Sequence, residues 1–384
     1  MGVIKKLGAR VLLVVLLVGL MAGCVPRGAM QNPGWTVVVA QDGTVYTVLA
    51  TGKVAALDGL NDGEEIWTYP SEVQGGGGGI GCSFAKTQGD GDAPNLLDAV
   101  YGIPTVAQDL LLTTSYDHHL YAFDRASGEK AWDFSADSAI IGGVAVDEGT
   151  AYFGSSDQNV YALNIADQAL VWDAPFATND WVWSTPALDD ERVYVGSMDH
   201  YVYALDREGG SEQWRQDVGG SVVGTVVRQD DLLYVGSVDK RLHVLNTDDG
   251  SEVWKTEELG GWVWGEALVH DGYVYFGSLD GSVHARSVDD GSPRWDPATL
   301  EGAVRAGPAL LAEGIVIGTD AGIVYSIDVQ TGTAEILEEL PSPVLSTPAV
   351  EGDMVYVGTA NGKVYALDSA SRAPQVWVYP PEED

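Results

Sequence analysis

Short apolar runs alternate with polar turns along most of this chain, and each run is too brief for a helix. "RVYVGSMDHYVYALD" (192–206) contains two alternating stretches joined by a tight polar turn, and "LLYVGSVDKRLHVLN" and "MVYVGTANGKVYALD" repeat it. A run such as "STPAL" precedes each pair, and a shorter run ending in tryptophan follows. The pattern predicts four short strands per unit and no helix after the amino-terminal apolar segment.

The unit recurs. "AFDRASGEKAW" ends at Trp132, "ALNIADQALVW" at Trp172, "ALDREGGSEQW" at Trp214, "VLNTDDGSEVW" at Trp254 and "ARSVDDGSPRW" at Trp295. "SIDVQTGTAEI" ends at Ile336 in place of tryptophan, while "ALDGLNDGEEIW" (Trp67) and "ALDSASRAPQVW" (Trp377) carry one extra residue. From Trp132 onward the endpoints fall 40 to 42 residues apart, which makes eight copies of a blade-sized repeat. The fold predicted is all-β, a single eight-bladed β-propeller of four-stranded antiparallel blades over residues 34–380. Within the motif, Gly210 and Gly250 relax the turn between the third and fourth strands. Asp206 and Asn246 bond the turn amides. Each tryptophan buries roughly 150–250 Å² of ring, most simply against a neighbouring blade. Trp67, Trp132, Trp172, Trp214, Trp254, Trp295 and Trp377 are therefore structural docking residues.

These motifs resemble the pyrrolo-quinoline-quinone-like (PQQ-like) propeller repeat, Ala-x-Asp-x-x-Thr-Gly-x-x-x-Trp, with Ser127 and Gly209 standing at the threonine. The resemblance runs over nearly the whole chain after the start. It implies the propeller fold and says much less about activity.

The first residues belong to something else. "MGVIKKLGAR" is basic, "VLLVVLLVGLMAG" is apolar but short for a bilayer span, and Cys24 follows. This resembles a bacterial lipoprotein signal, which implies cleavage of residues 1–23, acylation of Cys24 and a lipidated linker at 24–33. An uncleaved anchor with an incidental cysteine is the alternative. Residues 381–384 form a short tail. A glycine-rich insertion at 73–99 follows the first blade and holds Cys82, the one cysteine besides Cys24. No Cys-x-x-Cys metal or haem motif is present.

With 56 acidic against 20 basic side chains, the formal net charge is −36. Nucleic acid is excluded as a partner, because phosphate binding needs a basic footprint. The acidity reads as a solvated, self-repelling surface, suited to a saline habitat among others. The turns "LDDER", "RQDD", "NTDDG" and "SVDDG" predict one strongly acidic, unpartnered face.

Five tryptophans lie outside the repeat motif: Trp35, Trp181, Trp183, Trp262 and Trp264. The "GS" or "GT" of each second strand serves as a ruler (Ser115, Ser155, Ser197, Ser237, Ser278, Thr319, Thr359, with Leu49 equivalent). Fourteen residues before it stand Trp35, Tyr101, Ile141, Trp183, Val223, Trp264, Arg305 and Leu345. Trp181 and Trp262 lie two residues earlier still. This slot is expected to begin the innermost strand, so that its side chains ring one mouth of the central channel. Trp35, Tyr101, Trp181, Trp183, Trp262, Trp264 and Arg305 are the candidate partner-binding residues, since aromatic enrichment with an arginine is typical of binding hot spots. The other reading is that the rings plug the channel. His118, His119 and His200 fall in turns on the same face, on blades too far apart for a metal site.

Three function classes remain. The lipoprotein branch of the PQQ-like family includes a component of the outer-membrane β-barrel assembly machinery. That resemblance implies a non-catalytic, monomeric scaffold without a cofactor, lipid-anchored to the envelope, docking an assembly protein. Its place would be the periplasmic face of the outer membrane, or the outer surface of the cytoplasmic membrane in an organism lacking one. A surface sensor or adhesion propeller binding a sugar or peptide could use the same aromatic mouth. A PQQ-dependent dehydrogenase would need a quinone and calcium site. Here Trp264 and Glu266 are the first residues to suspect, with no cysteine pair and no second carboxylate beside Glu266.

Overall fold

The computed structural model describes residues 34–71 and 96–381, and every regular element in them is a β-strand. The expected signal peptide, Cys24, the linker, Cys82 and most of the glycine-rich insertion lie outside the described residues. Thirty-two strands form eight four-stranded antiparallel sheets, each built from consecutive strands. Blades 1 to 8 span residues 37–69, 105–135, 145–177, 187–217, 227–255, 268–299, 309–339 and 349–379. The end of the expected insertion belongs to the propeller: Leu97 and Ala99 are buried, and Leu97 packs with blades 1 and 2.

Burial follows the repeat. Second and third strands such as Arg192–Gly196 and Tyr201–Asp206 are buried along almost their whole length, whereas fourth strands such as Glu212–Asp217 alternate exposed and half-buried. Two fourth strands shrink to Phe176–Ala177 and Ala298–Thr299. The registers Val160↔Phe176 and Val283↔Ala298 explain why, since the next residue inward is Pro175 or Pro297, which has no N–H for the ladder.

The tryptophan motif fastens neighbouring blades. The indole Nε1 of Trp67, Trp172, Trp214, Trp254, Trp295 and Trp377 donates to a carbonyl in the next blade's turn: Arg125, Arg207, Thr247, Val288, Val329 and Gly59. The motif glycine of that next turn has positive φ and lies flat under the ring. A Cβ on Gly210 would fall 2.5 Å from Trp172. Two seams depart from this: Trp132 is kept although Gln168, with φ of 58°, stands at the glycine's position in blade 3, and the seam between blades 7 and 8 changes both partners. Blade 7 has Ile336 for the tryptophan, and the facing turn of blade 8 ("DSASRAPQ") has no glycine. Motif aspartates cap their turns as expected, Asp124 accepting from Ala126 and Ser127 and Asp328 from Gln330 and Thr331.

Among the described residues no strand is exchanged to close the ring. Blades 8 and 1 meet through a shared apolar cluster, through Trp377 on Gly63, and through Ser346 Oγ donating to Thr36 O at 2.8 Å.

A second repeated device sits in the turns between second and third strands. Asp117, Asp157 and Asp199 each cap the turn and accept from the tyrosine four residues on, Tyr121, Tyr161 and Tyr203, at 2.9, 2.7 and 2.6 Å. His284 takes the tyrosine's place in blade 6. It is 5% exposed, its Nδ1 has no partner among the described residues, and burial lowers its pKa to about 4. A folded-state pKa below the unfolded value of 6.5 means that the neutral form is favoured in the fold. Its contribution is complete above pH 6.5 and is lost as the pH falls toward 4, up to about 3 kcal/mol. His284→Tyr is expected to flatten this acid limb of the stability–pH curve, measured by urea unfolding at pH 7 and pH 4.5.

Candidate functional site

Backbone contact closes the inner wall at the seams between blades. Trp35 N donates to Val100 O, Val226 N to Thr185 O, and the side chain of Thr347 accepts from Gly307 N. Gly102 abuts Gly142, Gly142 abuts Trp183, Gly224 abuts Trp264 and Gly265 abuts Ala306, each too close for a Cβ. These small residues follow the slot directly, and they let adjacent lead-in segments touch. The slot therefore precedes the first strand and does not begin it: Trp183 stands ahead of Ala187–Leu188, and Trp264 ahead of Leu268–His270. The segment packs backbone to backbone across the seam, which leaves its amides unavailable to a ladder within the blade.

Met198 N donates to Trp181 O and Leu279 N to Trp262 O, so the slots share a face with the turns between second and third strands. Val182 and Val263 are fully buried and lie over Gly154 and Gly236 of the preceding blade. Alternation then turns the two flanking tryptophans to the same, opposite side. Trp181 and Trp183 stack with centroids 5.4 Å apart and planes at 16°, and Trp262 and Trp264 at 6.4 Å and 18°. All four rings are half-buried. Trp183 is steadied by a 3.0 Å bond from Nε1 to Ser156 Oγ.

Between these pairs, blade 5 presents only Ser221 and the buried Val223. Farther round, Trp35 and Tyr101 meet edge to face at 5.3 Å, and burial pushes the Tyr101 phenol up to about 12. Arg305 lies 5.5 Å from the centre of the Trp264 ring. Burial lowers its pKa against the opposing pull of Asp320, and no carboxylate pairs with it among the described residues. The structure thus brings the seven candidates to one mouth as three aromatic groups and one cation. Ile141 and Leu345 complete the circle.

Glu266, two residues beyond Trp264, extends across Gly307 toward Thr347 of blade 8. The residue keeps some exposure, yet burial of its carboxyl raises the pKa, opposed only by the Thr347 hydroxyl. A lone carboxyl that favours its neutral form is poorly suited to calcium, which takes six to eight oxygens including charged carboxylates. Among the described residues no group of three His, Cys, Asp or Glu is placed to hold a metal. The residues do not fit a quinone–calcium centre. His118 and His200 have a backbone role instead: both occupy the left-handed turn position held by glycine at 281, 322 and 362.

Acidity is not confined to the far face. Asp117, Asp157, Asp199, Asp239, Asp280 and Asp320 stand in turns on the mouth side. The Ser-x-Asp spacing after each second strand carried that signal for the first five.

A family model described as outer membrane protein assembly factor BamB matches residues 26–181, 160–302 and 280–383. No curated protein sequence matches. Among solved structures, the computationally designed Ika8 protein superposes with a TM-score of 0.72 at 15% identity, over 88% of this chain and 97% of that one. BamB from Moraxella catarrhalis superposes with a TM-score of 0.68 at 18% identity, over 86% and 95%. At these identities the superpositions speak for the fold.

Proposed function

The chain belongs to the outer membrane protein assembly factor BamB family, and from that premise we propose that it is a non-catalytic envelope scaffold whose aromatic mouth docks a partner protein. The proposal includes the lipid anchor at Cys24 and a partner drawn from the β-barrel assembly machinery, as the family's description suggests. One observation carries it. Two stacked tryptophan pairs and an unpaired arginine stand half-exposed on lead-in segments whose structural work is done by the buried valines and small residues beside them. Large rings held rigid at little entropic cost, with a cation stacked among them, suit a protein interface.

The test is crosslinking and capture from native membranes, comparing the wild type with Trp183→Ala plus Trp264→Ala. A barrel-assembly protein is expected with the wild type, with recovery falling at least about tenfold in the double variant, as for loss of a hot spot. Equal recovery from both would remove the mouth as the docking surface. Protection of the tryptophan fluorescence by oligosaccharide, without protein capture, would favour a sugar-binding propeller instead.

A further inference from the structure

The face opposite the mouth carries the turns between first and second and between third and fourth strands, which bond to each other (Gly59 N to Gly43 O, Arg207 N to Glu191 O). In two seams an arginine directly after the motif aspartate reaches back into the preceding blade. Arg125 bonds Tyr46 OH at 3.2 Å and Gln108 O at 2.9 Å. Arg207 bonds Tyr152 OH at 3.3 Å and Asp189 O at 3.0 Å, and pairs with Asp147 and, at 3.8 Å, Glu148. Both sites set a guanidinium between a tyrosine of one blade and a turn carbonyl of the next, and Arg207 also pairs with the acidic turn of the preceding blade.

Six seams lack that arginine, and among them the seam between blades 6 and 7 keeps the tyrosine and one acidic residue of the turn. Val329 occupies its position, and a cavity of about 400 Å³ opens there, lined among others by His270, Asp271, Leu311, Glu313 and Val329. By the strand-two ruler, His270 stands where Asp147 does, Asp271 where Glu148 does, and Leu311 where Asp189 does. Tyr275, the counterpart of Tyr152, is engaged from the other side by Arg294, which also bonds Gln330 at the rim. No cation pairs with Asp271 or Glu313 among the described residues.

We propose that this cavity is a guanidinium socket that takes an arginine side chain presented by a partner polypeptide. The molecule seats a guanidinium at this position twice; here Arg294 already engages the tyrosine and His270 replaces the pairing aspartate, so an incoming arginine would rely on Asp271 and Glu313. Acidic turns around an apolar floor match a charged tip on an aliphatic stem. Leu310, 39% exposed at the rim, gives the residues flanking that arginine an apolar landing. The socket lies on the face away from the tryptophan mouth, so it stands or falls separately from the docking reading.

The probe is N-acetyl-arginine amide, followed by methyl NMR of the full chain, with N-acetyl-citrulline amide as its neutral isostere. Saturable shifts are expected at the Leu311 and Val329 methyls, with the citrulline compound binding about tenfold more weakly for want of the charge-assisted bonds. Asp271→Asn should weaken the arginine response. Val329→Arg should abolish the Leu311 response and raise the unfolding midpoint; its backbone carbonyl still serves Trp295. Equal response to both compounds, shifts spread evenly over the other acidic turns, no shift at all, or binding untouched by Asp271→Asn would each overturn the assignment.

Discussion

Trp172→Ala is expected to lower the unfolding free energy by about 3–5 kcal/mol, the range for removing a large buried aromatic side chain. Trp172 is 3% exposed, lies over Gly210 and 6.0 Å from Tyr152, and donates to Arg207 O at 3.0 Å. Truncation leaves a cavity between blades 3 and 4 and strips that carbonyl of its donor, and neither loss can be repaired by a flat turn with no side chain of its own. Urea unfolding checks the midpoint. Ile336→Ala supplies the contrast. It sits at the same motif position but is 53% exposed and faces a turn without the glycine seat, so its loss should be within about 1 kcal/mol. Equal losses at the two sites would mean that the motif does not fasten blades through the ring.

Gly358→Ala is expected to destabilise by about 3 kcal/mol, the upper end of the usual range for overpacking. Its Cβ would lie 2.1 Å from the carbonyl oxygen of Thr36, which belongs to the backbone of blade 1 and cannot rotate away. The 8–1 seam is the place where the first and last blades meet without strand exchange among the described residues, so separation there opens the ring. Amide hydrogen exchange should therefore accelerate first in blades 1 and 8. Gly149→Ala is the control, since its Cβ would meet nothing within 4 Å and it differs only in a φ of +78°. That change should cost about 1 kcal/mol. Exchange that rises uniformly around the propeller after Gly358→Ala would argue against this seam as the weak point.

The propeller was legible because one blade is repeated eight times, and the repetition separates what fastens from what does not. The period alone marks seven tryptophans, six of which donate across a seam. The glycine's second duty is not so marked: the repeat shows Gly210 as a turn residue, whereas it also forms the seat for Trp172 from the preceding blade. That pairing crosses a seam, so the matched loss of tryptophan at Ile336 and glycine in blade 8 becomes intelligible only once the neighbour is known. The ruler placed Trp181, Trp183, Trp262 and Trp264 on one mouth correctly. It misjudged their segment, because alternation of valine and tryptophan looks the same whether the backbone bonds to its own blade or to the next. The arginine socket was hidden altogether, since Val329 is unremarkable until Arg125 and Arg207 show what fills that space in two of the eight seams.

The account rests on a division between rings that hold the propeller together and rings that are free to bind. The measurement that tests it most directly is the urea midpoint of Trp183→Ala plus Trp264→Ala, set beside that of Trp172→Ala. Half-exposed rings on segments anchored by Val182 and Val263 should cost about 1 kcal/mol or less per site. A double variant that stays close to the wild type while Trp172→Ala falls far below it is the predicted result. A double variant that loses as much as Trp172→Ala would make the mouth aromatics a plug of the central channel, and would contradict the binding role.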